Sequence, residues 1–213
     1  AAVREIINPP PVGESVASSM GQQRFYNKAS IVLLVNNTNI SFIVKDQGSA
    51  TGTTTNITYT SSAPSNVEKT NLARALPFLS VTNQFYDFRE SKQVMVTELD
   101  MGLLKNWLPT NSQVLARYPV GGASGYPNIL YIADSRTVKT LHAVRVKNGS
   151  IIPTNGPSAA QATGFTIATQ NPLYVWGNYN CPSFPNSTNT TTTFPASLIS
   201  DAITILSPNW NDT

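Results

Sequence analysis

The chain has 213 residues, of which 40% are hydrophobic and only 12% are charged, and its formal net charge is +3. That charged fraction is about half the level usual in globular proteins. The basic residues are dispersed, which argues against a nucleic-acid-binding face, because such a face needs clustered Lys and Arg. No apolar run approaches the roughly 18 residues of a membrane-spanning helix. A polar but uncharged surface rich in Thr, Ser and Asn is typical of exported β-proteins.

The length suits one large all-β domain, and we predict a single β-rich domain over residues 1–213. The chain opens on Ala1 without an initiator Met and without a basic-then-apolar leader. We therefore expect a fragment of a longer protein. Cys181 is the only cysteine, so no disulfide can form within the chain. We interpret it as a small, buried or half-buried residue.

Short apolar runs bounded by turn residues predict strands in the first part of the chain. Ile31–Val35 and Ile40–Val44 are separated by an asparagine-rich stretch, residues 36–39. They predict a hairpin or one turn of a β-solenoid. Residues 48–60 are rich in Thr, Gly and Ser and predict either a loop or an edge strand.

Residues 66–108 are the most helix-prone part of the chain, and we expect one or two short helices there. Asp100 stands immediately before Met101–Leu108, where Leu104 and Leu108 fall on one helical face. An aspartate in this position predicts an N-cap, because its carboxylate can accept hydrogen bonds from the free N–H groups of the first turn.

The second half repeats short strand signals that end at Asn, Asp or Gly. The predicted strands are Ile129–Ala133, Leu141–Val146, Phe165–Ala168, Leu173–Trp176 and Ala202–Leu206. Asn171-Pro172 and Gly177-Asn178 predict tight corners, because Pro presets φ while Gly and Asn tolerate positive φ. Residues 165–176 are therefore either a hairpin or one side of a coiled β-solenoid.

These elements predict a mainly all-β fold. We favour a right-handed parallel β-helix, since Ile129–Ala133 and Leu173–Trp176 lack the clean alternation of strands that have one face in water. A two-sheet β-sandwich would give a similar set of strands and is the alternative.

Three stretches in order resemble a known family. They are Phe25–Val35, Phe85–Asp100, and Gly164–Asn180 joined to Asp201–Asp212. Together they resemble a segment of large exported bacterial proteins with a PilX-like N-terminus, which are associated with type IV pilus assembly. The resemblance implies a β-rich fold, an extracellular or cell-envelope location and a structural or adhesive role. It implies no catalytic residues.

The densest group of acidic residues is Asp87, Glu90, Glu98 and Asp100. Two carboxylates about 5–10 Å apart are what glycoside hydrolysis requires, one as acid and one as nucleophile or base. The same oxygens could hold Ca²⁺, which takes six to eight oxygen ligands. The simpler interpretation is that Asp100 caps a helix, a neighbouring arginine pairs with a glutamate, and Asp87 bonds to backbone at a turn. No other metal or cofactor is predicted.

His142 is the only histidine, which excludes a zinc site built from several histidines. A hydrolytic triad would need His142 with Asp134 and a serine such as Ser135. No G-x-S-x-G turn is present to support one. The simpler interpretation is that His142 is a strand residue.

Tyr174, Trp176 and Tyr179 are the candidate ligand-binding residues. Tyr174 and Trp176 are two apart and share one face of a strand. If they are exposed, they form a platform on which sugar rings stack, and if they are buried, they belong to the core.

The leading hypothesis is a non-enzymatic, exported structural or adhesive β-domain. Its expected partners are a second copy, the rest of the parent protein or glycans, and not nucleic acid. A glycoside hydrolase using the acidic group is the first alternative. A carbohydrate-binding module using the three aromatics is the second.

Overall fold

The computed structural model describes residues 2–119, 125–137, 140–154, 163–182 and 190–212. These residues form a mainly β structure with short helices. The helices are α1 (Ala2–Ile7), α2 (Phe25–Lys28), α3 (Asn66–Ala75), α4 (Met101–Trp107), a 3-10 turn (Leu108–Thr110) and α5 (Ser112–Arg117). The strands are β1 (Ile31–Val35), β2 (Asn39–Val44), β3 (Thr53–Thr58), β4 (Leu79–Ser80), β5 (Gln84–Asp87), β6 (Lys92–Asp100), β7 (Ile129–Asp134), β8 (Leu141–Gly149), β9 (Phe165–Thr169), β10 (Leu173–Tyr179), β11 (Ala196–Ile199) and β12 (Ile203–Leu206).

The strands form two mixed six-stranded sheets. Sheet A has the order β11-β9-β7-β1-β2-β3. Its strands are parallel from β11 to β1, and β2 and β3 continue it antiparallel. In sheet B the order is β12-β10-β8-β6-β4, and β5 also pairs with β6. Its strands are parallel from β12 to β6, and β4 and β5 are antiparallel to β6.

From β7 onward the chain alternates strictly between the sheets. Odd-numbered strands join sheet A and even-numbered strands join sheet B. Leu173 of β10 pairs with Val144 of β8 on one side and with Ile203 of β12 on the other. These partners are about 30 residues away in each direction, so each circuit adds one parallel strand to each sheet.

The main core lies between the two sheets. Leu33 and Ile132 contribute to it from sheet A, and Val146 and Leu173 contribute from sheet B, each at most 1% exposed. Burying aliphatic side chains in this way removes them from water and is the dominant favourable contribution to folding. We call the sheet faces that line this core the inner faces and the opposite ones the outer faces.

The observed strands confirm some of the predictions and contradict one. The hairpin of residues 31–44 is confirmed, with Ile31 paired to Val44. The edge strand in residues 48–60 is confirmed as β3. Residues 165–176 do not form a hairpin, because β9 and β10 belong to different sheets. The all-β prediction is confirmed as mainly β, with two sheets packed face to face.

The predicted helices in residues 66–108 are also confirmed. Asp100 caps α4, its Oδ1 accepting the N–H of Leu103 at 3.0 Å. Ser65 and Glu68 form a reciprocal capping box at the start of α3. The position of α4 is explained by burial, because its residues Met101 and Leu104 pack in the main core.

Candidate functional site

The outer face of sheet B collects most of the predicted site residues. Val94 and Val96 of β6, Ala143 of β8 and Tyr174 of β10 form an apolar layer there, with Phe85 of β5 packed against it. Glu98 and Arg145 continue this face along β6 and β8, because they are paired residues in the parallel ladder. The residues that follow β12 fold back over it, and Trp210 packs edge-on against Phe85 with ring centroids 5.6 Å apart.

A buried ion cluster is the centre of this face. The Nε of Arg145 donates to Glu98 Oε2 at 2.7 Å, and its two terminal nitrogens donate to both oxygens of Asp212 at 2.6 and 2.8 Å. Lys147 Nζ lies 2.6 Å from Glu98 Oε1, and the amide of Asn83 donates to the same oxygen at 2.9 Å. The Arg145 and Glu98 side chains are 0% and 1% exposed. The charges of two acidic and two basic side chains therefore balance within this cluster.

Arg145 also anchors the C-terminal residues. Burial raises the pKa of Asp212, but hydrogen bonds from Arg145 and from the Trp210 indole outweigh that effect, so the pKa lies below its usual range. The bidentate arginine–carboxylate arrangement is among the stronger and more directional ion pairs in proteins. We call residues 207–212 the C-terminal strap. It covers Arg145, which is 0% exposed, while Asp212 itself stays 30% exposed.

Asp87 is held in a second group further along the same face. Its carboxylate accepts hydrogen bonds from Arg89 at 2.9 Å and from the Tyr174 hydroxyl at 2.7 Å. The bond from Arg89 lowers the pKa of Asp87 below its usual range, and the bond from Tyr174 adds to this, while burial opposes both. Arg89 reaches on to the hydroxyl of Thr204 on β12 at 3.0 Å. This group ties β5 to the last strands of sheet B.

The four candidate carboxylates are dispersed or occupied. Asp87 pairs with Lys92 at the far end of β6, so it is about 20 Å from Glu98 along a strand that rises about 3.3 Å per residue. Glu90 is exposed. It lies beside Asp87 in one turn, where its backbone N–H donates to Asp87 Oδ1 at 3.4 Å. Glu98 and Asp100 are the other close pair, about 7 Å apart by the same rise.

Both members of that close pair are already hydrogen-bonded. Asp100 caps α4 with one oxygen and accepts the Asn148 amide at 2.6 Å with the other. The oxygens of Glu98 are taken by Arg145, Lys147 and Asn83. A general acid must hold a proton and direct it at the leaving group. All four oxygens of this pair already accept hydrogen bonds from the protein.

The three candidate aromatics do not form one platform. Tyr174 is 3% exposed and meets Phe85 edge-on at 5.1 Å between ring centroids. Tyr179 packs against the main core, and its buried hydroxyl has no hydrogen-bond partner among the described residues. The predicted shared face of Tyr174 and Trp176 is confirmed, since both belong to the outer-face cluster.

Trp176 borders a cleft of about 230 Å³ at the edge of this face. One side of its ring is stacked by Arg145, whose guanidinium carbon lies 4.7 Å from the ring centroid. The cleft is lined by Lys147, Asn148, Ser150, Trp176, Gly177, Asn178 and Pro208. It combines one aromatic ring with amide, hydroxyl and ammonium groups.

A buried polar corner lies between the sheets, where β7 and β9 end. Asp134 accepts hydrogen bonds from Arg136 and from the Thr97 hydroxyl at 2.8 Å. Asn171 accepts the backbone N–H of Asp134 and donates to its carbonyl, both at 2.9 Å. Burial raises the pKa of Asp134, but bonds from His142, Arg136 and Thr97 outweigh it and lower the pKa. The corner predicted at Asn171-Pro172 thus cross-links neighbouring turns.

The hypothetical triad is not assembled in this corner. His142 Nδ1 does lie 3.5 Å from Asp134 Oδ1. The Ser135 hydroxyl, however, donates to the Val35 carbonyl at 3.2 Å. Asp134 is itself engaged by Arg136, so its role here is structural.

Arg145, Arg136 and Asp212 are the residues that sequence reasoning missed. The only signals were Arg145 as the one charge in the predicted strand Leu141–Val146 and Asp212 as the one charge in residues 207–212; Arg136 follows Asp134 and gives no such signal. Charged residues are almost never fully buried unless they are paired. Thr97 lies 39 residues from Arg136, and Glu98 and Asp212 lie 47 and 67 residues from Arg145, so local pattern alone does not identify these partners.

Comparison with known proteins gives no relative: no protein-family model, no curated protein and no solved structure matches this chain. Within the described ranges, no group of three or more His, Cys, Asp or Glu side chains is arranged to hold a metal ion. Helices long and apolar enough to cross a membrane are likewise absent from the part of the chain that the structure describes. Cys181 is a half-buried free thiol.

Proposed function

We propose that this chain is a non-enzymatic structural or adhesive β-domain of an exported bacterial envelope protein, of the pilus-associated kind that its sequence resembles. The observation that carries this proposal is the occupancy of its candidate carboxylates. Glu98 is neutralised by Arg145 and Lys147, Asp87 by Arg89, and Asp100 is engaged as a helix cap. These contacts support a structural role for the three carboxylates, and Glu90, the fourth candidate, is exposed.

We further propose that the second half of the domain is a right-handed parallel β-helix of two-sided coils. The strict alternation of β7 to β12 between the two sheets supports this, as does the parallel, in-register pairing of successive circuits. Connections between parallel strands of one sheet are right-handed in about 98% of cases. A stack of this kind gives a stiff rod, which suits a structural or adhesive part of a surface protein.

The low charged fraction of 12% supports export. So does the way the surface is made polar, with Thr and Asn in place of Lys and Glu. Cell fractionation with an antibody against this chain tests the location. We expect the protein in the envelope or extracellular fraction, and confinement to the cytoplasm would contradict the proposal.

A screen with chromogenic glycosides and esters tests the absence of catalysis. Asp100→Asn is the informative variant, because Asn is an equally good helix cap and the fold should survive. Asp201→Asn is the matched control, because Asp201 is an exposed acid outside the candidate group. We expect no turnover above the blank in any sample. Turnover that Asp100→Asn abolishes and Asp201→Asn retains would replace this proposal with a hydrolase.

A glycan-binding role is the second candidate, and the cleft beside Trp176 favours it. An indole ring flanked by the amides of Asn148 and Asn178 offers stacking and hydrogen bonds to a sugar ring. Of the predicted aromatics, only Trp176 lines this cleft.

Fluorescence titration with neutral oligosaccharides tests this second role. The wild-type chain should lose intensity on binding, and Trp176→Phe should not. Trp107→Phe is the control, because Trp107 packs against Phe42 and Phe78 in the main core. Equal quenching in Trp176→Phe and wild type would exclude this cleft as the site.

A further inference from the structure

The two sheets end together on one side of the domain, at β11 and β12. Among the described residues, no strand pairs with the outer edge of either strand. Both strands are parallel to their inner neighbours and contain no charged residue. Natural edge strands are usually protected by charges, proline or bulges against pairing with another chain. These two edges carry no inward-pointing charge.

The inner face of β12 is apolar and uncovered. Ile203 pairs with Leu173 and Ile205 pairs with Val175, so these isoleucines point toward the interior between the sheets. Leu173 and Val175 are 0% and 5% exposed, whereas Ile203 and Ile205 are 47% and 79% exposed. The difference arises because each strand further inside has a neighbour on both sides. Ile203 and Ile205 therefore form the surface on which a further layer would stack.

The other end of the domain does not match this surface. There sheet A ends in β3, which is antiparallel and rich in Thr and Asn. Sheet B ends in two separate pieces, β4 of two residues and β5 of four. In a head-to-tail stack, the β11 edge of one copy would therefore meet the polar strand β3 of the next. The β12 edge would meet the two short strands β4 and β5.

A two-fold axis perpendicular to the sheets gives a better match. It places β11 antiparallel to its counterpart and β12 antiparallel to its counterpart, so both sheets continue across the junction. The isoleucines of each copy then cover those of the other. Asp201, at the corner between the two strands, falls at opposite ends in the two copies, so like charges stay apart.

We propose that the β11–β12 edge binds a second copy of this chain in an isologous dimer. The contact continues both sheets as successive circuits do within the chain, but with antiparallel pairing, and it buries Ile203 and Ile205 as the chain buries Leu173 and Val175. A symmetric interface of this type closes on itself and does not polymerise. This inference is independent of the proposed structural role, since an enzyme with the same edge would pair in the same way.

Two measurements test the proposal: light scattering after size-exclusion chromatography, and analytical ultracentrifugation at chain concentrations from about 1 to about 200 µM. This range covers weak dimers, as expected of a small interface. The wild-type chain should form a dimer whose fraction rises with concentration. Ile205→Lys should shift the midpoint upward by at least tenfold, because it places an inward-pointing charge on the edge. Val67→Lys on α3 is the matched control, since Val67 is 68% exposed and lies away from the edge, and it should dimerise like wild type.

Hydrogen exchange at high and low concentration locates the contact. Protection that increases with concentration only in β11 and β12 supports the isologous dimer. Additional protection in β3 or β4, together with oligomers that grow without limit, would overturn it in favour of head-to-tail stacking. A chain that is still monomeric at 200 µM would also overturn it. The β11–β12 edge would then be better explained as the contact for a further coil of a longer parent protein. An absence of dimer says nothing about turnover in the glycoside screen, so the two proposals fail separately.

Discussion

Replacing Arg145 by Met should strongly destabilise the domain. Arg145 is 0% exposed and donates to both Glu98 and Asp212. Methionine approximates its aliphatic length but removes the charge, its hydrogen bonds and the guanidinium that stacks on Trp176. The carboxylate of Glu98 then stays buried with fewer partners.

The expected magnitude follows from what Glu98 retains. Removing one partner of a buried ion pair costs about 3–5 kcal/mol, because the other charge is left uncompensated. Glu98 still has Lys147 at 2.6 Å and Asn83 at 2.9 Å, and Asp212, with 30% of its side chain exposed, can return to water. We therefore expect the low end, about 3 kcal/mol, which corresponds to about 6–12 °C in melting temperature for a domain of this size.

Urea unfolding monitored by fluorescence measures this loss in the free energy of unfolding. The comparison requires that the slope of that free energy against urea concentration is the same in both variants. Arg74→Met is the control on an exposed arginine of α3 and should stay within about 0.5 kcal/mol of wild type. Combining Arg145→Met with Glu98→Met should recover at least about 1 kcal/mol of the single-variant loss, since apolar replacement of both partners is often neutral. A single-variant loss below about 1 kcal/mol, or a double variant less stable than the single one, would refute the assignment of Arg145 as the centre of the cluster.

Other predictions follow from individual contacts. Burial lowers the pKa of Lys45 to about 8. Because the unfolded chain keeps this proton up to about pH 10, stability should rise as the pH increases from about 8 to 10, and circular-dichroism melts should show no such rise in Lys45→Met. Gly149→Ala should cost about 1–3 kcal/mol in urea unfolding by overpacking, since its Cβ would lie 2.7 Å from the Tyr179 ring; an unchanged midpoint would contradict this. Tyr174→Phe removes a 2.7 Å hydrogen bond to Asp87 and should cost about 1–2 kcal/mol, and a cost near zero would mean that Arg89 alone satisfies the carboxylate.

Local sequence pattern predicts most strands of this fold because their signals are local. Ile129–Ala133 and Leu141–Val146 are apolar and β-branched, and both lie within observed strands. Asp100 was predictable as a cap because capping depends only on the next three residues. The strand at Ala196–Ile199 was not predicted, since it has only two strongly apolar residues and is a strand because β9 pairs with it.

The pairing of distant segments could not be predicted in the same way. Whether Phe165–Thr169 and Leu173–Tyr179 form a hairpin or join two sheets depends on what else is available to pair with them. Here β7 and β11 flank the first, and β8 and β12 flank the second. The ion cluster has the same dependence, because Glu98 faces Arg145 only through the register of β6 and β8.

The outer face of sheet B and the β11–β12 edge therefore differ in what they can do for the molecule. On the outer face, charges that could bind a ligand are neutralised by one another, and Arg145 is covered by the C-terminal strap through Asp212. A ligand for Arg145 would have to displace this bidentate ion pair and would gain little from doing so. At the edge, Ile205 is exposed, and the side of β12 that faces away from β10 pairs with no strand among the described residues. Contact with another polypeptide at the edge replaces only water, so we expect association to occur there and not on the face that carries the charged residues.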